Sequence, residues 1–332
     1  MPQVEPSELG DAPVRPPFDP EFVRAMEAMR NALGELSDET LPQRRRPRAG
    51  TLPGQEAYDY SVGGAVTILE RSVPGPSDGP PLQLTIFTPA ARTAALPAVY
   101  YMHGGGFVTG TRLGGVSVLL PYVAEDKMVL ISVEYRLAPE HPDPAPIDDC
   151  YAGLVWSADN ADDLGIDPRK LMIFGGSAGG CLAAGLALMA RDRGHPTLSH
   201  QILWAPMLDD RFETPASRML DGEGTASRDE MLYSWTAMLG ARRGSEGVSC
   251  YIAPARARDL SGLPRTYIDI GSVDSCRDDI LMYAMRLSQA GVNVDLHLWG
   301  GAPHGYQLFQ PKAAVSMASM AAFDDFIRRA LA

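Results

Sequence analysis

Apolar residues along this chain change their spacing near residue 62. Before that point Phe22, Met26, Met29 and Leu33 recur at helical intervals, with Glu21, Arg24, Glu27 and Arg30 on the opposite face. An amphipathic helix is expected there, opened by Asp19-Pro20, a capping side chain followed by proline at the first helical position. The first fifteen residues, rich in proline and acidic groups, read as poorly ordered, and residues 41–60 read as a linker of Pro, Gly and Arg. Beyond residue 62, short apolar runs alternate with helical segments. Strands are expected at 65–69, 82–87, 98–102, 128–133, 171–174, 201–204, 266–270 and 294–298. Helices are expected near 116–125, 146–159, 178–192, 277–290 and 313–331. This alternation predicts an α/β fold with an eight-stranded, mostly parallel sheet and helices on both faces. Between Pro206 and about Cys250 the strand pattern lapses, and Met231, Trp235, Met238 and Leu239 share one helical face. The expected organisation is an N-terminal cap segment (1–60), a first part of the core (61–206), a cap insertion (207–250) and a second part of the core (251–332), without internal repeats. The two cap helices should pack side by side over the carboxyl ends of the strands. There Phe22, Met26, Phe107, Met207, Trp235 and Tyr306 would form an apolar pocket.

Two glycine runs fall at such strand ends. Gly175-Gly176-Ser177-Ala178-Gly179-Gly180 follows the run 171–174 and precedes a small-residue helix, the setting of a nucleophile elbow that holds a serine Oγ clear of the sheet. His103-Gly104-Gly105-Gly106 also follows a strand. Its glycines let main-chain donors approach a substrate, so the N–H groups of Gly105 and Gly106, with that of Ala178, would make an oxyanion hole. His103 itself would brace the loop. A serine hydroxyl needs a base, and the base needs an acid that fixes its tautomer. Of the six histidines, His141, His195, His200 and His297 lie in turns, a helix–strand loop or a strand, whereas His304 lies in a glycine-rich turn past the last strand and is the expected base. Asp274, past the strand 266–270, is the expected acid. It is favoured over Asp278, which with Asp279 is placed to stabilise the first turn of the next helix, and over Asp269 and Asp295 inside strands. The chain order Ser177, Asp274, His304 is that of α/β-hydrolases. Such a triad attacks an ester carbonyl through an acyl-enzyme and requires no metal or organic cofactor.

Composition narrows the partners. Of the 332 residues, 45% are hydrophobic and 21% charged, as in ordinary globular proteins, and a net charge of −12 argues against nucleic acid or an anionic membrane as partner. The basic run Arg44-Arg45-Arg46 with Arg48 lies between prolines and reads as a solvated linker or lid segment. The start, Met1-Pro2-Gln3-Val4-Glu5, lacks the basic and apolar regions of a signal peptide, and no run approaches the roughly 20 apolar residues of a membrane span. Four widely spaced cysteines show no metal-ligand pattern; Cys150 and Cys181 read as core thiols, and a cytoplasmic setting is expected.

The block Tyr135-Arg136-Leu137-Ala138-Pro139-Glu140-His141-Pro142 has no generic catalytic reading. With His103-Gly104-Gly105-Gly106-Phe107, the elbow, Gly271 to Asp274 and the turn at His304, it makes residues 80–310 similar to the hormone-sensitive-lipase-like, or family IV, bacterial carboxylesterases. The resemblance implies an α/β-hydrolase fold with a helical cap, hydrolysis of short- to medium-chain acyl esters, and homodimers formed through the last strand and helix. It assigns the Tyr135 block a structural part beneath the site, with Glu134 and Asp148 as polar support. Two positions depart from the family pattern: Gly176 stands where Asp or Thr usually precedes the serine, and Ser275-Cys276 follows the acid in place of Pro-Leu. The same apparatus could serve an amidase, a lactonase or an aryl-formamidase. Plant gibberellin receptors resemble this family but lack the catalytic histidine, so His304 disfavours a purely binding role.

Overall fold

All eight expected strands form, and their order explains how distant residues meet. The computed structural model describes residues 14–46, 58–77, 79–92 and 94–332, so the expectations for the first thirteen residues and for Arg48 lie outside the described residues. The strands are β1 (Val66–Val73), β2 (Leu82–Pro89), β3 (Leu96–Met102), β4 (Val129–Glu134), β5 (Ile166–Gly176), β6 (His200–Trp204), β7 (Arg265–Val273) and β8 (Val294–Pro303). They form one sheet in the order β1-β2-β4-β3-β5-β6-β7-β8. β2 runs antiparallel to both neighbours, and every other pairing is parallel. Side chains alternate between the faces, as strand geometry requires. Ala98, Tyr100 and Met102 of β3 pack toward the helices Ala145–Asp159, Ala178–Arg193 and Arg277–Gln289. Val99 and Tyr101 pack toward Leu120–Ala124 and the last helix, Ala314–Leu331.

β7 and β8 run further than the expected 266–270 and 294–298. Their pairing continues through an irregularity after Gly271 and ends with Val273 opposite Pro303. The glycine-rich segment before His304, expected as a flexible turn, is therefore the end of a strand, with its backbone held by β7.

The N-terminal helix spans Pro20–Leu33 and is capped by the Asp19 side chain, which accepts from Glu21 N–H at 2.9 Å. It is docked at the end of β8, where Asp19 N–H donates to Gly301 O at 3.0 Å. Between β6 and β7 the insertion carries the helix Arg228–Leu239, whose Ser227 cap accepts from Glu230 N–H. The two ends of this arrangement touch directly: the Tyr233 hydroxyl donates to Asp38 at 2.7 Å, and Arg44 pairs with Glu230. The solvated-linker reading of the basic run therefore fails for two of its residues. Leu41–Arg44 is a short helix, Arg44 also reaches Gly34 O, and Arg45 is bonded to Val108 O, Ala138 O and Glu140. Guanidinium forks match carbonyl and carboxylate acceptors, and these two side chains are partly buried by them, to 14% and 26% exposed. No described helix is long and apolar enough to cross a membrane.

Candidate active site

Strand register brings the two glycine runs together. Met102 pairs with Gly175, so the residues that follow, His103-Gly104 and Gly176-Ser177, leave the sheet side by side. A Cβ on Gly179 would lie 2.1 Å from Met102 O, and one on Gly104 would lie 2.9 Å from Gly176 O, so the close approach depends on glycine at both places. Ser177 sits at φ 55°, ψ −121°, a strained backbone for a residue with a side chain. Its main chain is anchored by N–H donation to Trp204 O at 2.8 Å and by its carbonyl, which accepts from Met207 N–H at 3.1 Å. The helix 178–193 begins at once, and its first N–H groups, that of Ala178 included, have no acceptor within the helix.

The pairing of Val273 with Pro303 does the same for the acid and base candidates, since Asp274 and His304 are the next residue on each strand. His304 Nδ1 lies 2.7 Å from Asp274 Oδ2, and His304 Nε2 lies 2.9 Å from Ser177 Oγ. Asp274 is fully buried, and its other oxygen accepts from Cys276 N–H at 2.8 Å. Burial works against a charged His304, but the adjacent Asp274 carboxylate, helped by Glu230, outweighs it and raises the imidazole pKa above its ordinary 6.5. Asp278 points elsewhere: it accepts from Ala216 N–H at 2.8 Å and from Arg277. His103 stacks on Tyr135 with centroids 4.2 Å apart, and its carbonyl accepts from the Tyr135 hydroxyl at 2.7 Å. Burial holds its imidazole below the ordinary pKa.

One of the two family departures has a local explanation. A Cβ at Gly176 would meet nothing nearer than 3.7 Å, so packing does not require glycine there. Ser275 uses its hydroxyl to donate to Ala226 O of the insertion, at 3.1 Å. The expected polar support needs correction. Arg136 is held by Asp149, not Asp148, through three donors at 2.7 to 2.9 Å; one step along a helix turns a side chain by about 100°. Glu134 binds Arg112 instead, at 2.8 Å.

The six expected pocket residues divide into two groups. Phe107 and Trp235 pack together with ring centroids 5.3 Å apart, and Met207 N–H donates to the Ser177 carbonyl, so of these three Met207 is bonded directly to the serine. Phe22, Met26 and Tyr306 do not join them. They form a separate cluster with Ala302, Phe22 set edge-on against Tyr306 at 5.8 Å, behind the His304 turn. Tyr306 is turned away because its hydroxyl donates to buried Asp269 at 2.8 Å. The cavity between the N-terminal helix and the insertion is about 620 Å³ and is more polar than expected. Its lining includes Glu27, Arg30, Leu33, Arg44, Thr225 and Glu230, and Thr225 donates its hydroxyl to His304 O at 2.6 Å.

Asp269 is the functional-site neighbour that the sequence concealed. It accepts from Gln307 Nε2, Trp299 Nε1, Ser319 Oγ and the Tyr306 hydroxyl at 2.6 to 2.8 Å. Burial still raises its carboxyl pKa, against the pull of those donors. Through Tyr306 and Gln307 it ties down the segment that follows His304. An isolated acid within the apolar strand Thr266–Ile270 was the available signal.

A serine on a strained strand-to-helix turn, with an acid and a histidine arriving in that order from the ends of the parallel strands β7 and β8, defines the class of α/β hydrolases. Residues 99–308 match the family model described as the alpha/beta hydrolase fold. The chain belongs to the hormone-sensitive-lipase-like family of these proteins. It is 31% identical to Esterase LipI of Mycobacterium tuberculosis over 91% of each chain. It is 36% identical to Carboxylesterase NlhH of the same organism over 69% of this chain and 72% of the relative. Among solved structures, a bacterial heroin esterase superposes with a TM-score of 0.84 at 36% identity, covering 95% of this chain and 98% of the other.

Proposed function

We propose that this protein is a carboxylic ester hydrolase in which Ser177 is the nucleophile, His304 the general base and acid, and Asp274 the residue that orients His304. The unbroken line from Ser177 Oγ to His304 Nε2, at 2.9 Å, and from His304 Nδ1 to Asp274, at 2.7 Å, carries this reading. Relatives named as esterases support it. Ser177 attacks the ester carbonyl as His304 takes its proton, and the oxyanion is held by the N–H groups of Gly105, Gly106 and Ala178. His304 then protonates the departing alcohol. Water, deprotonated by the same imidazole, releases the acid from the acyl-enzyme. Each missing oxyanion donor would cost on the order of 3 kcal/mol of transition-state stabilisation.

Residues 14–46 and the insertion 207–250 form the cap in this reading, over a core made of 61–206 and 251–332, and the cavity between them admits the substrate. Met29, Leu33 and Leu36 supply the apolar part of its lining, and an acyl group of short or medium length is the proposed occupant. Four unpaired cysteines accord with a reducing, cytoplasmic setting. Self-association through β8 is part of the proposal: β8 ends the sheet, with Leu296 and Leu298 exposed on it and Met282 and Met285 exposed on the neighbouring helix.

Ser177→Ala should lower kcat for p-nitrophenyl butyrate by roughly 10³-fold or more. An unchanged rate in purified, folded protein would overturn the assignment. Matched ester and anilide substrates then separate an esterase from an amidase.

A further inference from the structure

We propose that Arg45 is a positioning residue: reaching in from the N-terminal segment, it holds the glycine-rich loop in register with Ser177. The inference rests on the esterase reading above and adds a residue outside the triad and the oxyanion hole. Three consecutive residues of that loop, Gly105, Gly106 and Phe107, have φ of +120°, +62° and +63°. Phe107 carries a side chain in a conformation that L-residues disfavour, so this shape persists only where surrounding bonds over-determine it. One set of those bonds is internal, since Val108 N–H, Thr109 N–H and the Thr109 hydroxyl all donate to Gly105 O. A second ties the loop to the Tyr135 block, through Ala138 N–H donating to Phe107 O at 3.0 Å.

Arg45 supplies the third. Its Nε donates to Val108 O and its Nη2 to Ala138 O, both at 2.6 Å, so one guanidinium bridges the two loop segments that the Ala138–Phe107 bond already joins. The same group grips both oxygens of Glu140, at 2.7 and 2.8 Å. A planar fork with several fixed donors can do this where a lysine cannot. The hydrogen bond from Arg45 holds the Glu140 carboxyl down to about 2, so this acceptor stays ionised at any working pH. Next along the chain, Arg44 pairs with Glu230 of the helix 228–239, and Ser234 of that helix abuts Gly106, where an added Cβ would fall 2.3 Å from the serine Oγ. The twin arginines thus fasten the N-terminal segment, the insertion and the loop to one another. Val108 is two residues from Gly106, with only strained Phe107 between them. Releasing Val108 therefore lets Gly106 N–H drift from the developing oxyanion. Such donors bind the transition state more strongly than the bound ester, so the loss belongs to kcat and not to KM.

The test compares Arg45→Ala, Arg45→Lys and Glu140→Gln with the parent chain on p-nitrophenyl butyrate, and follows inactivation by a p-nitrophenyl phosphonate, which forms a comparable oxyanion. For Arg45→Ala the expected result is a kcat lower by roughly ten- to a hundredfold, less than full removal of an oxyanion donor, with KM within about threefold. Phosphonate inactivation should slow by a similar factor, and added guanidinium at millimolar concentration should restore part of both rates. Arg169→Ala, at an exposed arginine, should leave kcat unchanged. A folded Arg45→Ala protein with parental kcat, or with a loss confined to KM, overturns the proposal. If that variant does not fold, Arg45→Lys and Glu140→Gln decide: a lowered kcat with partial guanidinium rescue in Arg45→Lys supports it, and parental kcat in both overturns it. Absence of Ser177-dependent hydrolysis in the parent chain would defeat the esterase reading itself; an active parent with indifferent Arg45 variants defeats only this inference.

Discussion

Asp274→Asn removes one acceptor from a carboxylate that uses both of its oxygens. Oδ2 accepts from His304 Nδ1–H, and Oδ1 accepts from Cys276 N–H, at 2.7 and 2.8 Å. An asparagine offers one acceptor oxygen. If that oxygen faces Cys276, the amide NH2 donates to His304 Nδ1 and the imidazole proton moves to Nε2, where it points at Ser177 and the base is lost. If the oxygen faces His304, two donors oppose each other at a fully buried site, which costs about 1–3 kcal/mol. The inactive tautomer therefore dominates by roughly 5- to 150-fold, and the charge that stabilised the imidazolium is gone as well. Together these should lower kcat on the order of 10³- to 10⁴-fold, or about 4–5.5 kcal/mol. Steady-state kinetics on p-nitrophenyl butyrate, with Asp278→Asn as partner, measure this. Asp278 serves Ala216 N–H and Arg277, so its variant should stay within about threefold of the parent. A pH profile adds a second readout. The parent rate should rise with pH through an apparent pKa above 6.5, because only the neutral imidazole accepts the serine proton, and the residual activity of Asp274→Asn should show that pKa displaced downward. A larger loss in Asp278→Asn, or more than a tenth of kcat surviving in Asp274→Asn, would refute the reasoning.

Gly179→Ala should cost most of the activity, because its Cβ would fall 2.1 Å from Met102 O, whereas Gly176→Ala, with nothing nearer than 3.7 Å, should keep kcat within about threefold; equal effects would refute the packing account. Asp279, 3% exposed, has its carboxyl pushed up to about 8 by burial and by the charges of Asp209 and Asp278, so the folded chain holds a proton that the unfolded chain releases near 3.8. Stability should therefore decline as pH rises from about 4 to about 8, and Asp279→Asn should remove that part of the decline, gaining on the order of a few kcal/mol at alkaline pH in urea unfolding. Parallel pH–stability curves for parent and variant would contradict this. Leu298→Glu, on the exposed side of β8, should turn a dimeric parent into a monomer in sedimentation equilibrium, and a monomeric parent would refute association through that edge.

The sheet was legible in the sequence because its strands are short and apolar, and the proposed triad residues were legible because each follows one of them. Less legible were features that depend on partners distant along the chain. Gly300-Gly301-Ala302-Pro303 has little strand propensity, and β8 extends through it because β7 supplies the pairing. Asp148 was expected as support where Asp149 serves, a difference of helical phase that a pattern of apolar residues leaves uncertain by about one position. Arg44 and Arg45 read as solvated because their acceptors, Glu230, Val108, Ala138 and Glu140, lie from 63 to 186 residues away. Phe22 and Tyr306 were expected in the pocket from the placing of the cap over the strand ends, but the hydroxyl of Tyr306 is committed to Asp269, and Phe22 packs edge-on against that ring.

Asp269 joins Trp299, Tyr306 and Gln307 to Ser319, which belongs to the last helix. The segment carrying His304 is thus seated by a residue that a ribosome adds fifteen positions after His304 itself. A nascent chain ending short of Ser319 holds all three proposed triad side chains yet lacks the tether that sets the third. Ester cleavage should consequently switch on late in synthesis, once the final helix has emerged and docked, so unfinished chains remain chemically silent.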